Sequence, residues 1–284
     1  MSDLKNWIGW EREAEDEIAP RLAECFASIF GGQADLAVGA PAPLGIHWCL
    51  APDIVPISET GPDGHPARGG FLPPVPLPRR MWAGGQLAFH GGLRVGDKVR
   101  RHSRIDDVVM KEGRSGTLCF VTVTHRYLTM RGHALSERHD IVYRGLDASA
   151  SAPSSVAQDV PEVSETIAAT PLLLFRYSAV TFNSHRIHYD RTYCQAEEHY
   201  PGLLVHGPLQ ATCLLQLAAR RNKGEAPPLF TYRGVAPLFD GGAFSVNARG
   251  RDYWIARPNG AVTMKAATSE DTRRDEAQAE PFRQ

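Results

Sequence analysis

Residues 203–221 read LLVHGPLQATCLLQLAARR. Gly207 and Pro208 stand where a helix would start, and a strongly apolar run follows, so the stretch predicts a helix beginning near Gly207. Four strand-like runs come next: FTYRGVAPLF (230–239), AFSVNAR (243–249), DYWIARP (252–258) and AVTMKAA (261–267), with turns at DGG and PNG. A helix followed by an antiparallel meander is an α+β pattern. Upstream, LLLFRYSAVTF (172–182) reads as a strand, and Asp190 is placed to N-cap a short helix running through His199.

The same order occurs earlier in the chain. Ile18, Leu22, Cys25, Phe26, Ile29 and Phe30 have helical spacing and stop at Gly31-Gly32. Residues 86–144 then alternate apolar and polar positions, clearest in LCFVTVTHRYL, with GRSG and MRGH as hairpin turns. Between them, residues 41–80 are proline-rich and end in PPVPLPRR, which fits neither a helix interior nor a central strand. That passage is expected to run extended over a sheet. LAFHGGLRV (87–95) also echoes PLFDGGAFSV (237–246). Together these features predict a duplicated α+β unit. Its parts are an N-terminal unit over 1–145, an Ala/Ser/Pro-rich linker over 146–170, a second unit over 171–268 and a charged tail over 269–284.

Composition narrows the function. The 284 residues are 43% hydrophobic and 22% charged, with a formal net charge of −1, so the chain supports real cores and has no basic field for nucleic acid. Its five cysteines are scattered without a C-x-x-C pair, which points away from disulfide frameworks and zinc ribbons. The start, MSDLKNWIGWEREAEDE, is acidic, and no apolar run of about 18 residues occurs. The expectation is a cytoplasmic protein with no membrane contact.

Titratable side chains are densest in TFNSHRIHYD (181–190). His185 and His188, with His199 or His206, could form a metal clip, although no Cys, Asp or Glu completes a familiar ligand spacing. G-x-S-x-G, G-x-G-x-x-G and Walker sequences are absent. The stretch could equally be a polar turn, with Asp190 capping a helix and Arg186 in an ion pair. The His206-Gly207-Pro208 start offers a third possibility. Glycine lets a ligand approach the backbone, and free N–H groups at the positive end of the helix dipole can hold an oxyanion. His206 itself could be a packed structural histidine.

The segments PLPRRMWAGGQLAFHGGLRVGD, KEGRSGTLCFVTVTH, FRYSAVTFNSHRIHYDRTYC and LLVHGPLQATCLL resemble the MaoC-like and FAS1-like dehydratases of the hotdog superfamily, within the group containing mesaconyl-CoA hydratases. The resemblance covers residues 1 to about 267 and implies a double hotdog, two fused units each with an antiparallel sheet wrapped around a helix. Relatives carry D-x-N-P-x-H, then an acidic residue two beyond the histidine, then an H-G helix start. Carried over, His188 matches the catalytic histidine, Gly207 the backbone N–H that polarises the thioester carbonyl, and Asp190 the acidic residue. The catalytic aspartate falls on Asn183, and the motif's Asn and Pro fall on His185 and Arg186.

This departure shapes the implied mechanism. An amide takes no proton, so Asn183 positions water and His188 is the acid/base, with His185 in reserve or in support. The resemblance implies an acyl-CoA hydratase or dehydratase without cofactor or metal, with one active site per chain in the groove between the units. Its substrates would be branched dicarboxyl thioesters such as mesaconyl-C4-CoA or itaconyl-CoA, or plain enoyl chains of fatty-acid metabolism. Arg186 is the expected partner of a distal carboxylate, and Arg233 or Arg80 of the CoA phosphates. A non-catalytic acyl-thioester binding protein is the reading of a different class. Thioesterase chemistry is disfavoured because position 183 holds no carboxylate. The chain is expected to be a monomer or homodimer.

Overall fold

The structure, a computed structural model, describes residues 4–113, 116–145 and 160–270. Ten strands form one antiparallel sheet: β1 (Glu11–Glu17), β2 (Arg79–Phe89), β3 (Lys98–Gly113), β4 (Gly116–Thr129), β5 (Gly132–Arg144), β6 (Val163–Ala168), β7 (Leu229–Gly234), β8 (Ala243–Arg249), β9 (Asp252–Ala256) and β10 (Val262–Ser269). Their spatial order is β1-β3-β4-β5-β2-β7-β10-β9-β8-β6. Read inward from each edge, the first five and last five strands follow the same pattern, so the expected duplication is present in the topology.

The two halves join where β2 pairs with β7, Gly84 opposite Arg233 and Leu87 opposite Phe230. Glycine is needed at this seam. A Cβ on Gly84 would lie 2.5 Å from the Tyr232 carbonyl oxygen, and one on Gly85 would lie 2.1 Å from that of Arg138.

Helix α4 (Gly207–Arg221) lies against β7–β10 and β2, with Leu209, Leu214 and Leu215 fully buried. Burial on nearly all sides explains its all-round apolar character. Helix α1 (Pro20–Ile29) packs on α2 (Pro171–Val180), and α3 (Arg191–Ala196) is short. The proline-rich passage covers the sheet as expected: Phe71, Leu72, Val75 and Leu77 pack on a cluster containing Ile105, Val121 and Ile141.

Three expectations are corrected. LLLFRYSAVTF is helical in α2, not a strand, because Thr170 Oγ1 accepts the Leu173 N–H at 3.1 Å and Pro171 opens the first turn. The expected linker contains β6, which pairs with β8, while residues 146–159 of it lie outside the described residues. PPVPLPRR ends inside β2, a central strand, because its last two residues, Arg79 and Arg80, already pair with Arg144 and Tyr143. The strand β1, EREAEDE, was not foreseen. It forms a charged sheet edge opposite β3, with Glu15 bonded to Arg100 at 3.0 Å. The tail lies outside the described residues from 271 onward. No helix among the described residues is long and apolar enough to cross a membrane.

Candidate active site

A cavity of about 1120 Å³ opens between the halves. His188, Asn183 and Gly207 line it from the second unit, and Arg80, Trp82 and His65 from the first. The segment carrying the histidines is clasped by the proline-rich passage. The Arg186 N–H donates to the Asp63 carbonyl at 2.9 Å, and Ser184 Oγ donates to the Gly64 carbonyl. Gly64 has φ +86°, and a Cβ there would lie 2.1 Å from the Ser184 carbonyl oxygen. The first unit, which lacks the histidine motif, therefore holds the second unit's loop in place.

His188 ends a single 3-10 turn, Arg186–His188, and is 6% exposed. Its Nδ1 lies 2.7 Å from the Leu204 carbonyl oxygen. A carbonyl only accepts, so Nδ1 carries the proton and Nε2 keeps its lone pair. Burial lowers the His188 pKa to about 3, so the ring is neutral at physiological pH. One face stacks on His206, centroids 3.6 Å apart and planes 17° from parallel. His206 is fully buried and bonds Ser178 Oγ at 2.8 Å through Nε2, so it is a packed histidine that backs the His188 ring.

Asn183 follows the end of α2, its N–H donating to the Ser178 carbonyl at 2.8 Å. Its Oδ1 accepts the His185 N–H at 3.0 Å, which orients the amide and leaves its NH₂ group for other partners. Gly207 opens α4 with Pro208 behind it. The helix cannot bond its first N–H groups internally, and they carry the positive end of the dipole. The indole of Trp82, from β2, seals the other side: a Cβ on Gly207 would sit 2.4 Å from Trp82 Cε3. Trp82 in turn stacks on Tyr232, centroids 4.6 Å apart.

The other expected residues divide. Asp190 is an N-cap, Oδ1 accepting the Tyr193 N–H at 2.9 Å, and pairs with Arg186 at 2.8 Å. Arg186 is thereby committed. It also donates to the Pro62 carbonyl, lies over the Tyr193 ring, and is not on the cavity wall, which corrects its expected role with a distal carboxylate. Arg233 lines the cavity from β7 and is exposed, as a contact near the mouth would be. His199 is exposed, and the His/Cys/Asp/Glu side chains that come within ligating reach of one another among the described residues are Asp63, His65 and His185, so the clip read from spacing, with His188 and His199 or His206, does not assemble.

Another group does come together. Asp63 Oδ2 is 3.3 Å from His65 Nδ1, and the His65 and His185 rings lie 4.1 Å apart. Ligand-type atoms of Asp63, His65 and His185 all fall within 4.8 Å of one another. The Arg80 charge acts on all three residues, which opposes a dication there. Asp63, His65 and Trp82 had no signal in the sequence: Asp63 and His65 sit in the passage whose path over the sheet is set by tertiary packing, and Trp82 in β2 meets the site only through the pairing of the two halves.

Residues 45–240 match the model of the family described as hydroxyacyl-thioester dehydratase type 2. The mesaconyl-C(4)-CoA hydratase of Chloroflexus aurantiacus is 42% identical over 280 residues, covering 93% of this chain and 97% of the relative. The mitochondrial hydroxyacyl-thioester dehydratase type 2 of Schizosaccharomyces pombe is 27% identical over 220 residues, covering 69% of this chain and 73% of the relative. Among solved structures, a MaoC-like dehydratase superposes with TM-score 0.66 at 12% identity, covering 94% of this chain and 99% of that one. HtdX of Mycobacterium tuberculosis gives 0.62 at 16% identity, covering 90% and 98%. A further Mycobacterium tuberculosis protein described as having a double hotdog fold gives 0.55 at 12% identity, covering 92% and 96%. The ten-stranded sheet is thus a double hotdog.

Proposed function

Because this chain belongs to the hydroxyacyl-thioester dehydratase type 2 family, we propose that it adds water reversibly across the α,β double bond of mesaconyl-C4-CoA, giving citramalyl-CoA. The observation that carries the site assignment is the His188 tautomer: Nδ1–H is bound to Leu204, and the basic Nε2 belongs to a residue on the same cavity wall as the α4 N-terminus.

The reaction follows from these positions. The Asn183 NH₂ donates to the oxygen of a water molecule and turns one of its protons toward His188 Nε2. His188 takes that proton as the oxygen bonds to the β-carbon, and the π electrons move onto the thioester oxygen. The Gly207 N–H stabilises the resulting enolate at the positive end of α4. The enolate then collapses, and the imidazolium returns its proton to the α-carbon. Dehydration runs the same steps backward. The Leu204 carbonyl also stabilises the transient imidazolium, since Nδ1–H donates more strongly from the charged ring.

The test is hydration of mesaconyl-C4-CoA against itaconyl-CoA and crotonyl-CoA, followed by chromatographic separation of each substrate from its hydroxyacyl-CoA product. A kcat/KM highest for mesaconyl-C4-CoA is expected. A strong crotonyl-CoA preference would move the assignment to plain acyl chains. No turnover on any of the three would favour a binding protein on the same fold.

A further inference from the structure

In 3-methylfumaryl-CoA the carbon that water attacks also bears a carboxylate, so that anion must sit beside the catalytic base inside the cavity. A buried carboxylate needs a charged, hydrogen-bonding partner there. Several arginines line the cavity, and most are committed. Arg79 bonds Glu198 at 2.8 Å, and Arg12 bonds Asp53 at 2.5 Å. Arg68 donates to the carbonyls of Val75 and Leu77, and Arg101 to those of Leu50 and Ala51.

Arg80 differs. Its guanidinium meets the Tyr143 hydroxyl, and no described carboxylate lies within ion-pairing distance of it. Its position in β2 aims it at the reaction site. Arg80 and Trp82 stand opposite Tyr143 and Ile141 in unbroken register, so both side chains leave the same face of the strand. Trp82 is the ring that abuts Gly207. Arg80 therefore stands one strand repeat, roughly 6.7 Å, from the group covering the oxyanion site. Its charge is felt by His65, His139 and His185, all of which line the cavity.

We propose that Arg80 is the carboxylate anchor of the acyl pocket, its planar fork taking both oxygens of the carboxylate on the β-carbon while His188 faces that carbon. This rests on the dicarboxyl-thioester reading above. It also assigns the first unit a share in specificity: the second unit supplies the base and the oxyanion site, and the first supplies the cation that selects the acyl group. The bond helps chemistry as well as binding, because a carboxylate neutralised by Arg80 repels the incoming oxygen less.

The experiment compares kcat/KM for mesaconyl-C4-CoA and crotonyl-CoA in the wild type, Arg80→Gln and Arg80→Lys. The mesaconyl/crotonyl ratio should fall on the order of 100-fold in Arg80→Gln, with a smaller fall in Arg80→Lys, which keeps the charge and loses the fork. An unchanged ratio in either folded variant, whether both rates hold or both drop together, overturns the assignment of Arg80. If Arg80→Gln does not fold, the Arg80→Lys ratio decides. Inhibition of the wild type by succinyl-CoA and butyryl-CoA gives an independent reading: succinyl-CoA should bind more tightly, and equal inhibition argues against any carboxylate anchor. Failure of the underlying function is a separate result, a wild type that hydrates crotonyl-CoA but not mesaconyl-C4-CoA.

Discussion

The Nδ1 of His188 stands 2.7 Å from the carbonyl oxygen of Leu204, three residues before Gly207. One short bond thereby ties the proposed base to the strand of backbone that leads into α4, whose N-terminus is the proposed oxyanion site. The orientation of the imidazole and the position of the Gly207 N–H are set together, and the basic nitrogen is left for water. Under the proposed mechanism, replacing His188 with Ala removes the group that takes the proton from water. The expected loss in kcat is about 10²–10⁴-fold, with the circular dichroism spectrum retained. Near-normal hydration by the folded variant would sink the mechanism.

Asn183→Asp restores the carboxylate found in relatives with the D-x-N-P-x-H motif. Its oxygen can still accept the His185 N–H, so the turn should survive. A negative charge near His188 favours the imidazolium and raises its pKa from about 3. Hydration requires the neutral ring, so the acid limb of the kcat/KM profile should move to higher pH while activity persists. An acid limb that stays where it is in an active variant would show that position 183 does not communicate with the base.

The second half of the fold was legible in the sequence because it is local: the apolar run after Gly207 and the four alternating strands behind it each announce themselves over ten or so residues. What was not legible depends on distant partners. EREAEDE has no apolar side, and only its pairing with β3, whose facing positions include Lys98, Arg100, His102 and Arg104, makes it a strand. VSETIA reads as linker until β8 is beside it. LLLFRYSAVTF is apolar enough for either state, and the Thr170 cap with Pro171 behind it decides for the helix. The site divides in the same way. His188, Asn183 and Gly207 lie within 25 residues of one another and could be found together. Arg80, Trp82 and His65 reach the cavity only because the duplicated halves share a seam, and Arg186 had the right charge but was already held by Asp190.

Gly207→Ala tests the packing at the helix start. The new Cβ would meet Trp82 Cε3 at 2.4 Å, and because Trp82 is stacked on Tyr232 the ring has little room to retreat. Overpacking of this kind costs about 1–3 kcal/mol, and displacement of the first N–H of α4 should lower kcat. Adding Trp82→Leu removes the clash, so Gly207→Ala should destabilise the Trp82→Leu background much less than the wild type. Equal, additive effects would mean the two residues are not in contact.

Acid sensitivity should set in earlier than carboxylate chemistry predicts. Burial lowers the pKa of His47 and His188 to about 3, that of His65 to about 4, and that of His206 well below the ordinary value. His47 and His206 are essentially sealed, at 1% and 0% exposure, whereas His65 and His188 face the cavity, where water weakens the effect. In the unfolded chain each imidazole titrates near about 6.5. Below that pH the unfolded state binds protons that the native state refuses, so this contribution is intact above about pH 6.5 and is lost as pH falls toward 3–4. Each sealed histidine removes about 1.4 kcal/mol per pH unit in that window. His47 alone, acting from pH 6.5 to 5, removes about 2 kcal/mol, and His206 adds to this in the same direction, against a typical domain's stability of about 5–15 kcal/mol. Glu137 and Asp140 act in the opposite sense as pH falls toward the ordinary carboxylate range, because burial raises their pKa and their protonation relieves the native state. Urea midpoints should therefore fall steadily between pH 7 and 5, and His47→Phe should flatten that slope by up to one proton. A midpoint constant down to pH 5 would mean these rings are charged in the native state.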